Sequence, residues 1–151
     1  MDIKSKKPYP AGALSNFVPR PFKVRGIECA SVEGVVQGLK FKSPEMQCAV
    51  FQLTGYGAKR RGANKNWKRT QILWWQGSPI KRESPEYQKL LDDIFEALFK
   101  NEKAKKALLD TGDVVLTHKI GKNNPKETVL TQSEFCSRLM KIRDKLRKAK
   151  K

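Results

Sequence analysis

The chain has 151 residues, with 32 lysines and arginines against 15 acids, and carries a formal net charge of +17. That length suits one domain that buries its own core without a disulfide or metal staple. No apolar run approaches the roughly 20 residues that span a bilayer, and Pro8 and Pro10 stand where a secretory signal would carry its apolar stretch, so membrane insertion and secretion are not expected.

In chain order, residues 1–12 read as an irregular arm, 13–147 as the domain and 148–151 as a basic tail. Phe22, Val24, Ile27 and Cys29 alternate with charged residues about Gly26, which predicts a short hairpin. Ser31 caps a helix reaching about Phe41, and Pro44 and Gly55 bracket a second helix through Met46, Val50 and Leu53. From Lys59 to Arg69 the glycine and asparagines give loop character, with Trp67 available for stacking. Ile72 to Trp75 reads as a strand. Ser84 and Pro85 open a long helix whose Leu90, Leu91, Ile94, Leu98 and Phe99 form one stripe. A helical piece over Ala104–Asp110 stops at Gly112. Val114 to His118 reads as a strand and Gly121 to Thr128 as a loop. Thr131 and Glu134 make a capping box ahead of a last helix through Phe135, Leu139, Ile142 and Leu146. The fold class is therefore α+β: a compact, mainly helical single domain with a few short strands.

The positive charge is concentrated. Lys59, Arg60, Arg61, Lys65, Lys68 and Arg69 form a run with no acid, and the segment from Arg138 to the end holds eight more cations offset only by Asp144. Fields of that sign attract polyanions, of which nucleic acid is the commonest in a cytosol. A membrane-surface role for the basic last helix is the poorer reading, because its apolar stripe is more simply core. The three cysteines, Cys29, Cys48 and Cys136, and the single His118 lie too far apart in sequence to suggest a metal motif, so reduced thiols in a cytoplasmic protein are expected.

The Ser31–Phe41 helix is the most informative stretch. Val32, Val35, Val36 and Leu39 share one face. Glu33, Gln37 and Lys40, spaced by four and three, form a second stripe about a quarter-turn away. A carboxylate, an amide and an ammonium thus line one edge, with Glu33 in the first turn. Gly34 and Gly38 leave room beside them for a close neighbour or a ligand.

Three strings, A-L-S-N-F (Ala13–Phe17), S-V-E-G-V-V-Q-G-L-K-F (Ser31–Phe41) and A-L-L-D-T-G-D (Ala107–Asp113), resemble the NADAR superfamily, the YbiA-like N-glycosidases. The similarity runs on through I-L-W-W-Q-G (Ile72–Gly77) to T-V-L-T-Q-S-E-F (Thr128–Phe135), about 120 residues in order. The resemblance implies hydrolysis of an N-glycosidic bond at a ribose anomeric carbon, without metal or cofactor. Members act on a phosphorylated riboflavin-pathway intermediate or remove ADP-ribose from guanine in DNA. Carried over by position, Glu33 stabilises the ribosyl cation or activates the attacking water. The family's central aromatic falls on Trp74 or Trp75, with Trp74 preferred, since consecutive strand residues face opposite ways. Asp113 assists the leaving nitrogen or binds a ribose hydroxyl. Asn16, Phe17, Gln37 and Lys40 are ligand contacts, joined by the other tryptophan and by Arg60 and Arg61. His118 is read as structural, with a catalytic acid the alternative.

The substrate expected on these grounds is ADP-ribosylated guanine in single-stranded DNA, because a small riboflavin intermediate does not account for so basic a surface. Such an eraser would counteract a DarT-type toxin, in a host or an invading phage, and needs no obligate protein partner. The competitor from another class is a binding module that keeps the fold without catalysis.

Overall fold

The computed structural model describes residues 1–149 of the chain; Lys150 and Lys151, the end of the expected basic tail, lie outside the described residues. Seven helices and two small antiparallel hairpins share one core among the described residues. The first hairpin pairs β1 (Phe22–Val24) with β2 (Ile27–Cys29), and the second pairs β3 (Ile72–Trp75) with β4 (Ser78–Lys81). Both turn on two residues with positive φ, Arg25 (50°) and Gly26 (83°) in one, Gln76 (49°) and Gly77 (87°) in the other. Two left-handed residues are what a tight hairpin needs to follow the strands' twist, and glycine takes the second place in each.

Helix α5 (Pro85–Leu98) is the centre of the molecule. Its Tyr87, Leu90, Leu91, Ile94 and Phe95 are buried, and Ser84 caps it by accepting from the Tyr87 amide at 3.2 Å. Beside it runs α7 (Gln132–Ala149), and α6 (Glu102–Leu109), capped by Asn101, packs on α7. The capping box is present in full: Glu134 N–H donates to Thr131 Oγ1 at 3.0 Å, and Thr131 N–H donates to Glu134 Oε1 at 2.9 Å. Glu134 does more than cap. Its carboxylate takes a bidentate pair of bonds from the fully buried Arg82, at 2.6 and 3.0 Å, and a third from Gln88 at 2.7 Å. Burial alone would raise its pKa, but these bonds hold it below the ordinary glutamate value.

Three expectations need correction. The basic stretch is not a loop: α3 (Gly55–Gly62) and α4 (Trp67–Thr70) occupy it. It shows no apolar period because α3 rests on α1 through only two small residues, Ala58 and Gly62, both buried. Trp67 is 6% exposed and belongs to the core, so it offers no face for stacking. Val114 to His118 does not form a strand; one parallel bridge joins Asp2 to Thr117, while Val114 and Val115 are exposed.

The first helix, α1 (Val32–Gly38), is shorter than its pattern suggests and ends in a tight turn, Phe41 N–H bonding Gly38 C=O at 3.0 Å. It lies against α2 (Pro44–Phe51) on one side and α3 on the other. The room at Gly34 and Gly38 is taken by α2. A Cβ on Gly34 would stand 2.6 Å from the Leu53 carbonyl oxygen, and one on Gly38 would overlap the Phe51 ring.

Candidate functional site

The α1 backbone is anchored before any side chain acts. Ser31 Oγ accepts from Gly34 N–H and donates to Leu53 C=O, both at 2.9 Å, while Glu33 N–H donates to Asn16 C=O at 3.0 Å. Glu33 is thereby fixed between α2 and the Ala13–Phe17 segment. Its Oε1 accepts from Gln37 Nε2 at 2.8 Å, and Gln37 Oε1 accepts from Lys40 Nζ at 2.8 Å. An ammonium only donates, so Lys40 decides which end of the Gln37 amide faces Glu33. Gly62 closes the row from α3: a side chain there would overlap that of Gln37, and its carbonyl lies 3.4 Å from Lys40 Nζ.

Glu33 is 9% exposed and Gln37 is 7% exposed. Burial raises the Glu33 pKa above the ordinary value, against the opposing pull of the Gln37 bond and the charges of Lys40, Lys59 and His118. Burial lowers the Lys40 pKa in turn, with Glu33 opposing and Lys68 adding. A carboxylate and an ammonium are thus both held largely out of water, with one amide between them. Nearby, Asn16 Oδ1 is buried and accepts no hydrogen bond among the described residues. Phe17 meets the ring of Tyr56, on α3, edge to face at 5.0 Å.

The two tryptophans separate as strand alternation requires. Trp75 packs on Phe51, with ring centroids 5.6 Å apart, and joins the core. Trp74 points the other way, under Lys42 Nζ at 5.4 Å, and its backbone ties β3 to α1 through Leu39 C=O at 2.8 Å. Arg60 and Arg61 are exposed on α3, with Arg61 over the ring of Phe41. Asp113 is apart from these groups; its side chain is 83% exposed and is paired with Arg147 of α7. His118 Nδ1 lies 2.7 Å from Ile3 C=O, so that nitrogen carries the proton and donates. Its ring packs edge-on to Phe135. Among the described residues no group of three or more histidine, cysteine or acidic side chains forms a metal cluster.

Two contributors escaped the sequence pattern. Gln47 is wholly buried and donates to Trp74 C=O at 2.8 Å and to Gly38 C=O at 3.0 Å, while its Oε1 accepts from the Gln76 backbone at 2.8 Å. It welds α1, α2 and β3 together, and no periodic signal marks such a residue. Lys59 bears on Glu33 only because α3 is a helix packed on α1.

The family model for bacteriophage protein GP30.3 matches residues 8–144. The chain belongs to the GP30.3 family. It is 36% identical over 151 residues to the uncharacterized 17.1 kDa protein in the Gp30-rIII intergenic region of Enterobacteria phage T4, a match covering 97% of this chain and 98% of that one. This GP30.3 chain also shares its fold with the E. coli protein YbiA. Their structures align with a TM-score of 0.66 over 99% of this chain and 86% of YbiA, at 18% identity. The α+β fold that the motifs implied is thus the YbiA-like one.

Proposed function

We propose that this GP30.3 chain is an N-glycosidase that removes ADP-ribose from guanine in DNA, reversing the work of a DNA-modifying toxin. The observation that carries the reading is Glu33. It is a buried carboxylate, aimed by an amide that is itself aimed by an ammonium, beside the unpartnered Asn16 Oδ1.

Cleaving the bond from ribose C1′ to the base nitrogen leaves positive charge on C1′ and the ring oxygen. A carboxylate already held in place, in a site of low dielectric, stabilises that charge without reorganising. The same group accepts a proton from the water whose oxygen forms the new bond to C1′. The bonding pair leaves with the base nitrogen, which takes up a proton. In this reading Asn16 accepts from a ligand hydroxyl or N–H, Phe17 and Trp74 bound the site, and Arg60 and Arg61 meet the diphosphate. Asp113, exposed beside Arg147 and apart from these groups, is given no part in the step. The basic face that α3 presents favours a polyanionic substrate over a small riboflavin-pathway intermediate.

The test mixes the protein with an oligonucleotide carrying ADP-ribosylated guanine and follows free ADP-ribose by chromatography, with Glu33→Gln alongside. Release by the parent and not by the variant is expected. No release from either overturns the DNA reading. Turnover of the riboflavin intermediate instead would reassign the substrate, and binding without product would make the chain a recognition module.

A further inference from the structure

The cations of this chain are unevenly neutralised. Around α5, α6 and α7 many are matched: Arg25 and Lys89 with Asp93, Arg138 with Asp92, Lys105 with Glu102, Lys148 with Asp144. Between Glu45 and Glu83, by contrast, the sequence has eight cations and no acid. Of these, Arg82 alone has an ion-pair partner among the described residues. The unmatched charge collects along α3 and at its two ends.

At the N-terminal end, Tyr56 is 63% exposed and shares an open cleft of about 380 Å³ with Lys4, Lys6 and Lys7 of the arm. Past the C-terminal end, Lys65 Nζ stands 4.8 Å above the ring of Phe41. Those two residues, with Lys42 and Met46, line a second open cleft of about 490 Å³. Between the clefts, α3 brings Gly62 against Gln37 and the charge of Lys59 to bear on Glu33. Eight helical residues span about 12 Å, the length of roughly three or four phosphates along a stacked strand.

We propose that α3 is the spine of a track for single-stranded DNA, leading the strand past Glu33 with phosphates held in the two lysine clefts and a flanking base stacked on Tyr56. The proposal rests on the N-glycosidase reading for what occupies the Glu33 site. A single strand fits better than a duplex for two reasons. The Tyr56 ring can stack only on a base freed from its neighbours, and a base must leave the duplex to reach a buried carboxylate.

Fluorescence anisotropy of a labelled, unmodified 12-nucleotide strand and of its duplex, over a range of salt, tests this. The parent should prefer the single strand, with log K falling against log salt by about 0.7 for each phosphate contact. The pairs Lys6→Ala with Lys7→Ala and Lys42→Ala with Lys65→Ala should each flatten that slope by about 0.7 to 1.4. Tyr56→Ala should weaken binding about 5- to 100-fold, and Tyr56→Phe should restore it, because stacking needs the ring and not the hydroxyl. Lys103→Ala with Lys141→Ala, on α6 and α7, should leave both affinity and slope in place. Circular dichroism establishes that every variant is folded.

Preference for duplex, equal binding to anionic phospholipid vesicles, or equal losses in the α6/α7 control overturns the track. The two readings also fail separately. Binding that follows this pattern without ADP-ribose release leaves the track and removes the enzyme. Release at the parent rate from the Tyr56 and lysine variants leaves the enzyme and removes the track.

Discussion

Gly34 offers a prediction in which two readings differ in sign. Judged by helix propensity, replacing a glycine inside α1 by alanine should stabilise the protein by about 1 kcal/mol. The packing says otherwise. A Cβ on Gly34 would meet three backbone oxygens of α2 and its end, those of Leu53 at 2.6 Å, Phe51 at 3.0 Å and Val50 at 3.1 Å. Main chain cannot swing aside as a side chain does, so α1 and α2 must separate, an overpacking that costs about 1–3 kcal/mol. Separation also strains the Ser31 Oγ bond to Leu53 C=O (2.9 Å) and the Ala30 N–H bond to Phe51 C=O (2.8 Å). Each is worth about 0.5–1.5 kcal/mol. Set against the propensity gain, the net loss is about 1–5 kcal/mol, or some 3 kcal/mol in the middle of the range. At roughly 2–4 °C per kcal/mol for a chain of this size, that is a fall in Tm of about 6–12 °C. Gly57, in α3, is the internal control: a Cβ there meets nothing within 4 Å, so Gly57→Ala should gain up to about 1 kcal/mol. Differential scanning calorimetry of both variants decides the matter. A Gly34→Ala protein as stable as the parent, or a shared direction for the two glycines, would refute the backbone contact.

Glu33→Gln should abolish ADP-ribose release while raising Tm at neutral pH. A carboxyl whose folded pKa is raised penalises the fold above that pKa, and the penalty fades as pH falls through it, so the gain should shrink in acid. A Tm gain independent of pH would show that Glu33 is not the cause. Since the ionised carboxylate is the working form, the acidic limb of the parent's pH–rate profile should lie above the ordinary glutamate range; a limb at or below it removes that role. Glu134→Gln leaves the buried Arg82 without its charge partner and should cost about 3–5 kcal/mol. The folded pKa of Glu134 is depressed, so its contribution is present above the ordinary glutamate range and lost as pH falls through the folded value. The stability gap between parent and variant, read by urea denaturation, should therefore close in acid. Gly62→Ala should displace Gln37 and lower turnover with little change in Tm, because the better helix former offsets the lost bond. A turnover equal to the parent's would detach Gln37 from the mechanism.

Local chemistry was the legible part of this fold. Ser31, Ser84 and the Thr131–Glu134 pair all cap where their patterns place them, and the stripe of α5 is buried as its spacing requires. The Glu33–Gln37 pair follows from helical period, and Lys40 joins it from the turn after Gly38, so the row is bonded end to end. What stayed hidden was whatever only tertiary contact creates. Helix α3 carries three consecutive cations between glycines, and its burial falls on Ala58 and Gly62, too small to print a hydrophobic period. Val114 and Val115 look like strand residues, yet the Met1–Ile3 segment that comes alongside makes a single bridge, at Thr117, among the described residues. Arg82 reads as one more surface cation until α7 sets Glu134 over it, and Gln47 reads as an ordinary polar helix position until three backbone segments converge on it.

The contact of α1 with α2 has a bearing on how such a site persists through divergence. Glu33 and Gln37 each precede a glycine, Gly34 and Gly38, and it is those glycines that seat the helix on its neighbour. The aim of the carboxylate is therefore set by main chain resting on main chain at Gly34 and on the Phe51 ring at Gly38. Interior side chains elsewhere can be exchanged over generations, and the core can drift in composition, without rotating α1. Under such drift the residues held fixed would be the two that have no side chain, more strictly than the valines packed beside them.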